Sequence, residues 1–144
     1  MSEAAEFDWS SLEGVQRILE CTPIHRHLGF RCESIERGAV CVVFSCAVGD
    51  AALRMDGVGQ VHGGILATLI DSAATFAACI AAGRSVPTAA LHVDYLRPTS
   101  GSDLVATAKV RKIGRSTAVV DVEVESGGKL VALGRAALST TVSH

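Results

Sequence analysis

The chain has 144 residues, 49% of them hydrophobic and 19% charged, enough to bury a sizeable core as a single domain over 1–144. Thirteen Lys and Arg against fifteen Asp and Glu leave a formal charge of −2. That balance excludes a nucleic-acid binder that works by neutralising phosphates, and the apolar content excludes a disordered chain.

The start, Met1 to Trp9, is acidic and shows no basic or apolar targeting pattern. Ser10 or Ser11 can cap a short helix over about 10–20, with Leu12, Val15, Ile18 and Leu19 on one face. Pro23 is expected to end it. Gly38 opens a β-rich run from Ala39 to Val48. An irregular stretch through Asp56-Gly57-Val58-Gly59 then leads to His62-Gly63-Gly64 and a long helix over about 63–83. That helix is apolar nearly all round, with Asp71 its only charged residue. A central Asp costs about 2.5–3.5 kcal/mol on membrane insertion, so the expectation is a helix wrapped by protein and no membrane partner.

The second half reads as four strands: Thr88–Leu96, Ser102–Ile113, Arg115–Ser126 and Lys129–Thr141. Turns fall at Pro98–Gly101, Ile113-Gly114 and Gly127-Gly128. In the third strand Val120, Val122 and Val124 alternate with Asp121, Glu123 and Glu125, the period of a sheet with one wet face. Short glycine turns join antiparallel neighbours. The expected class is α+β, a five-stranded antiparallel sheet against one long central helix.

The five cysteines, Cys21, Cys32, Cys41, Cys46 and Cys79, contain no C-x-x-C pair. Free thiols in a reducing, cytoplasmic setting follow, with neither a disulfide framework nor a zinc ribbon. His25 and His27 have no third ligand nearby in sequence and read as surface histidines, so no metal site is expected. No G-x-S-x-G elbow, H-E-x-x-H pair or phosphate-binding loop is present.

Asp56 to Asp71 holds the chemistry. Glycines at a helix start leave N–H groups open beside the positive end of the dipole, which suits an oxyanion forming on a carbonyl. Asp71 within an apolar helix is expected to be desolvated, raising its pKa and its strength as a base. The alternative is that Gly63 and Gly64 only permit tight packing while Asp71 caps a neighbouring element.

The string V-H-G-G-I-L-A-T-L-I-D, with T-A-A-L-H-V-D-Y-L-R-P from Thr88 to Pro98 and V-R-K-I-G-R-S from Val110 to Ser116, resembles the hotdog-fold acyl-CoA thioesterases. It is similar to their phenylacetate-pathway branch, and beyond that to the hydroxybenzoyl-CoA thioesterases. The resemblance implies a hotdog fold, in which the sheet wraps the central helix. It implies Asp71 as carboxylate nucleophile or general base, Gly63 as oxyanion donor and His62 as support for that turn. Gly64 falls in the same substrate-binding turn, and Thr75 and Thr88 match hydroxyl positions of different branches. A helix threonine can instead bond back to its own i−4 carbonyl. Asp56 departs from the pattern, which has Asn or Gln six residues before the histidine. It either sits protonated near Asp71, donating as Asn does, or caps the Asp-Gly turn. Coenzyme A enters as substrate, with no further cofactor. Its phosphates need cations, and Arg97 and Arg115, with Lys109, Arg111 and Lys112 near the second, are candidates beside the reading as solvated hairpin charges.

Eight residues of helix rise set Gly63 and Asp71 about 12 Å apart, whereas one attacked carbonyl needs both groups within about 3–4 Å. Asp71 of one subunit therefore faces Gly63 of another, which makes a homodimer obligatory; a dimer of dimers is the expected full assembly. Two other readings share the fold: a non-catalytic acyl-CoA-binding module, and a hydratase or dehydratase.

Overall fold

Ser11 opens the first helix: its hydroxyl accepts the Gly14 amide at 2.9 Å, and α1 runs over Leu12–Cys21. Val15 and Leu19 are buried, but Leu12 stays 44% exposed. Pro23 does more than end α1. Thr22 turns the chain, and Pro23 takes the first position of a second helix, α2 (Pro23–Leu28), where a missing N–H costs nothing. The computed structural model describes residues 7–99 and 101–141. Met1–Glu6 of the acidic start and Ser100 of the expected Pro98–Gly101 turn lie outside them.

Strand β1 (Phe30–Glu36) was not expected; it pairs antiparallel with β2 (Cys41–Cys46), which is shorter than the predicted run. The stretch expected to be irregular is a hairpin of β3 (Leu53–Met55) and β4 (Val58–Val61). Its turn is Asp56-Gly57, with Gly57 at φ +72° supplying the left-handed conformation. Then follow α3 (Gly63–Ala82), β5 (Thr88–Tyr95), β6 (Leu104–Ile113), β7 (Thr117–Ser126) and β8 (Lys129–Ser139). The four strands of the second half stand where the pattern puts them.

The α+β class holds, with six strands in the main sheet in place of five, ordered β1-β2-β6-β7-β8-β5 and antiparallel throughout. One face packs on α3. Val120, Val122 and Val124 are buried there while Asp121, Glu123 and Glu125 point away. By length and composition α3 is apolar enough to cross a membrane, yet 61% of its most apolar window is buried inside the domain. All five cysteines are free, and burial pushes the Cys32, Cys46 and Cys79 thiols up to about 11.

The two sheet edges differ. At β1 the Gln16 side chain of α1 accepts the Cys32 amide at 2.8 Å. At β5 the strand is exposed along most of its length, and among the described residues no strand lies beyond it.

Small side chains let α3 approach the sheet. Ala73 and Ala77 on the helix, with Ala106, Ala108 and Ala136 on the strands, are fully buried. Gly134 on β8 is the extreme case, since a Cβ there would lie 2.3 Å from Cγ2 of the buried Ile70. Ile70 is β-branched and cannot swing that methyl away freely. Gly134→Ala is therefore expected to destabilise the fold by about 1–3 kcal/mol, read as a lower denaturant midpoint, with Gly134→Ala/Ile70→Ala recovering part of the loss.

Candidate active site

Asp71 sits midway along α3, half-buried, and its Oδ1 accepts from the Thr88 hydroxyl at 2.8 Å. Thr88 Oγ1 in turn lies 2.9 Å from Thr75 Oγ1. An ionised carboxylate only accepts, so Thr88 spends its proton on Asp71 and receives one from Thr75. The three side chains thus form one directed chain, Thr75 to Thr88 to Asp71. Thr75 donates across to β5 and not back to its own helix. Asp71 is less enclosed than its apolar helix suggested: it lines an open groove with Ala67, Thr68, Thr88, Ala89, Ala90 and Leu91, of about 390 Å³.

Two turns away, His62 caps α3. Its extended backbone (φ −63°, ψ 134°) turns the imidazole onto the helix start, and Nδ1 accepts the Gly64 amide at 2.9 Å. In neutral His62 the proton is therefore on Nε2. Only one of the two glycine amides is open: Gly64 is taken by His62, while among the described residues no acceptor meets the Gly63 N–H. Tyr95, which the sequence analysis did not single out as a functional residue, donates its hydroxyl to the Gly63 carbonyl at 2.9 Å. A second groove, about 350 Å³, runs past Gly63, Tyr95 and Arg97, and shares no lining residue with the one at Asp71.

The other candidates are spread out. Asp56 lies exposed at the tip of the β3–β4 turn and, among the described residues, makes no hydrogen bond or ion pair with Asp71. Arg97 is exposed just past β5, beside Gly63; Arg115 is exposed in the β6–β7 turn at the opposite end of the sheet. The length of β5, roughly 23 Å, separates those ends. Arg111 is not a free cation, because Asp121 accepts from it at 2.9 Å and from Arg135 at 2.6 Å. Those pairs hold the Asp121 carboxyl below its ordinary range, Arg135 contributing most. Among the described residues no three His, Cys, Asp or Glu gather to hold a metal.

A long helix wrapped by one antiparallel sheet, with a lone acid at its middle and a histidine-capped glycine pair at its start, defines a hotdog domain. The family model described as the thioesterase superfamily matches residues 58–133. The chain belongs to that superfamily. It is 36% identical over 110 residues to the acyl-coenzyme A thioesterase PaaI of Escherichia coli strain K12, a match covering 75% of each chain. It is 37% identical over 82 residues to human acyl-coenzyme A thioesterase 13, covering 54% of this chain and 59% of that one. With several curated relatives the match spans only about half of the relative's length. The structure of the E. coli PaaI protein superposes with a TM-score of 0.77 at 30% identity, covering 92% of this chain and 97% of that one.

Behind Asp71 lies a residue whose surroundings the sequence hid. His25 is not a surface histidine: it is only 8% exposed, stacked on Phe30 and edge-on to Phe76, with Nε2 2.8 Å from Ser72 Oγ. The Ser72 hydroxyl gives its one proton to the Thr68 carbonyl, at 2.7 Å. His25 therefore donates through Nε2, and among the described residues its buried Nδ1 has no partner. Burial holds the His25 pKa below its usual 6.5, with Asp71 pulling weakly the other way. The unfolded chain takes up this proton as pH falls through 6.5, whereas the folded chain resists until lower pH. The stability this contributes is complete above that pH and drains away below it. Denaturant midpoints measured from about pH 7 to pH 5 should fall for the wild type and fall less for His25→Gln.

Proposed function

We propose that the chain is an acyl-CoA thioesterase that works as a homodimer, hydrolysing an acyl- or aryl-CoA to the free acid and coenzyme A. The observation that carries this reading is a pair of incomplete sites on one helix. An open Gly63 amide stands at its start and a threonine-held Asp71 two turns on, each in its own groove. A single carbonyl cannot reach both within one chain.

The unpaired edge of β5 supports the way they meet. Pairing two copies of β5 antiparallel, like every other pair in the sheet, lays the Thr88 end of one against the Tyr95 end of the other. Asp71 and Arg115 then approach the partner's Gly63 and the partner's Arg97. The cations that lie apart in one chain gather at one site, where a phosphate-bearing substrate needs them.

In that site the Gly63 N–H donates to the thioester oxygen as charge develops on it. Thr88 occupies Oδ1 of Asp71, which leaves Oδ2 to work. By one route Oδ2 takes a proton from water, whose oxygen bonds to the carbonyl carbon; the C–S bond then breaks and the thiolate recovers the proton. By the other, Oδ2 itself bonds to that carbon, the thiolate leaves, and water cleaves the mixed anhydride. His62 keeps the Gly63 turn in place by holding the Gly64 amide, so Gly64 contributes to the site through its backbone position and not through that N–H. Asp56 reads as a turn residue within its own chain.

Free coenzyme A, followed by chromatography because five thiols confuse thiol reagents, should appear from aryl, short- or long-chain substrates. Asp71→Asn should lower turnover by about a hundredfold or more. Gly63→Pro removes the amide at a position where proline suits a helix start, and should be equally inactive. Mixing the two variants should restore about a quarter of wild-type activity, since half the dimers are then mixed and each holds one intact site. No recovery on mixing would place both groups in one chain's site. Acyl-CoA binding without turnover by the wild type would make the chain a binding module.

A further inference from the structure

The segment from Tyr95 to Thr99 holds both flanks of the His62–Gly63 peptide. Ahead of it, the Val61 amide donates to Thr99 Oγ1 at 2.7 Å, and Thr99 is 5% exposed. After it, the Tyr95 hydroxyl donates to the Gly63 carbonyl at 2.9 Å, reaching across 32 positions of sequence. The Tyr95 ring also walls Gly63, 3.3 Å from where a Cβ would stand. A glycine at a helix start has more backbone freedom than any other residue, and its N–H is one that the helix itself does not hold. An oxyanion donor must be aimed before charge develops, so that freedom has to be reduced. The Gly63 carbonyl and the Gly64 N–H belong to one planar peptide, which the Tyr95 hydroxyl and the His62 ring hold from its two sides, while the Ile65 N–H holds the His62 carbonyl in the peptide before it. Of these tethers on Gly63, Tyr95 is the one that reaches in from another element.

We infer that Tyr95 is a positioning residue, aiming the Gly63 amide through its hydroxyl. This rests on the reading of Gly63 as oxyanion donor. The same strand serves the other half of the chemistry, for Thr88 at its start holds Asp71 while Tyr95 at its end holds Gly63. Strand β5 is thus a common jig for both groups, and it is also the edge through which two copies pair.

Tyr95→Phe keeps the ring against Gly63 and deletes only the hydroxyl. Its kcat should fall by about tenfold, the rate equivalent of one hydrogen bond, with KM and thermal midpoint unchanged. Benzoyl-CoA bound to Asp71→Asn, where turnover is stopped, reports the donor directly through its carbonyl stretch. The band should shift to lower frequency in Asp71→Asn and return towards the free value in Asp71→Asn/Tyr95→Phe. Retention of the full shift in the double variant, or a raised KM with unchanged kcat, overturns the positioning role alone. Absence of any shift in Asp71→Asn removes the oxyanion donor, and the role of Tyr95 with it.

Discussion

Twenty consecutive helical residues with a single charge among them must be covered on almost every side, and the rest of the chain is arranged to do it. The sheet supplies one wall, with Phe44 of β2 edge-on to Phe76 of the helix, and Trp9 and His25 of α2 close on the same Phe76 ring. The closeness of that fit depends on small residues, down to the absent side chain of Gly134 opposite Ile70. What the fold leaves uncovered is one stripe of α3, and that stripe carries Gly64, Thr68 and Asp71.

The chemistry grows out of this packing problem. A carboxylate in an apolar helix needs partners, and it finds them on β5, where Thr88 and Thr75 satisfy one oxygen in a fixed direction. The helix start needs its first peptides restrained, and a histidine cap on the Gly64 N–H and a tyrosine hydroxyl on the Gly63 carbonyl hold the peptide between them from opposite sides. Each requirement is structural in origin. Together they leave one amide and one carboxylate oxygen without a partner among the described residues, the two groups that the proposed dimer would bring together.

The sequence made the second half of the fold plain, because β7 alternates buried and outward residues along its whole length and β6 and β8 do so over most of theirs, between glycine turns. Strand β1 escaped because Arg31, Glu33 and Glu36 interrupt its apolar residues and a bulge between Cys32 and Ser34 breaks the alternation. Pro23 was misread since the residue that stops one helix can equally begin the next. Asp71, Gly63 and His62 were legible as a motif, yet the burial of His25 was not. Its partner Ser72 lies 47 residues away, and no local pattern announces a contact of that span. Tyr95 stands within the motif, yet its bond to Gly63 was not legible, because it comes from reaching back to α3 and not from its place in β5.

A site divided between identical chains, as proposed, would have a genetic consequence. If the coding sequence were duplicated and the two copies fused, each half would be released from carrying both groups. One half could lose its acid and the other its open amide, and a single complete site would survive. In such a descendant, a substitution at the position of Asp71 in one half would record specialisation and not decay. Ancestry could then be read from which half kept Thr88 beside its acid and which kept Tyr95 beside its glycine.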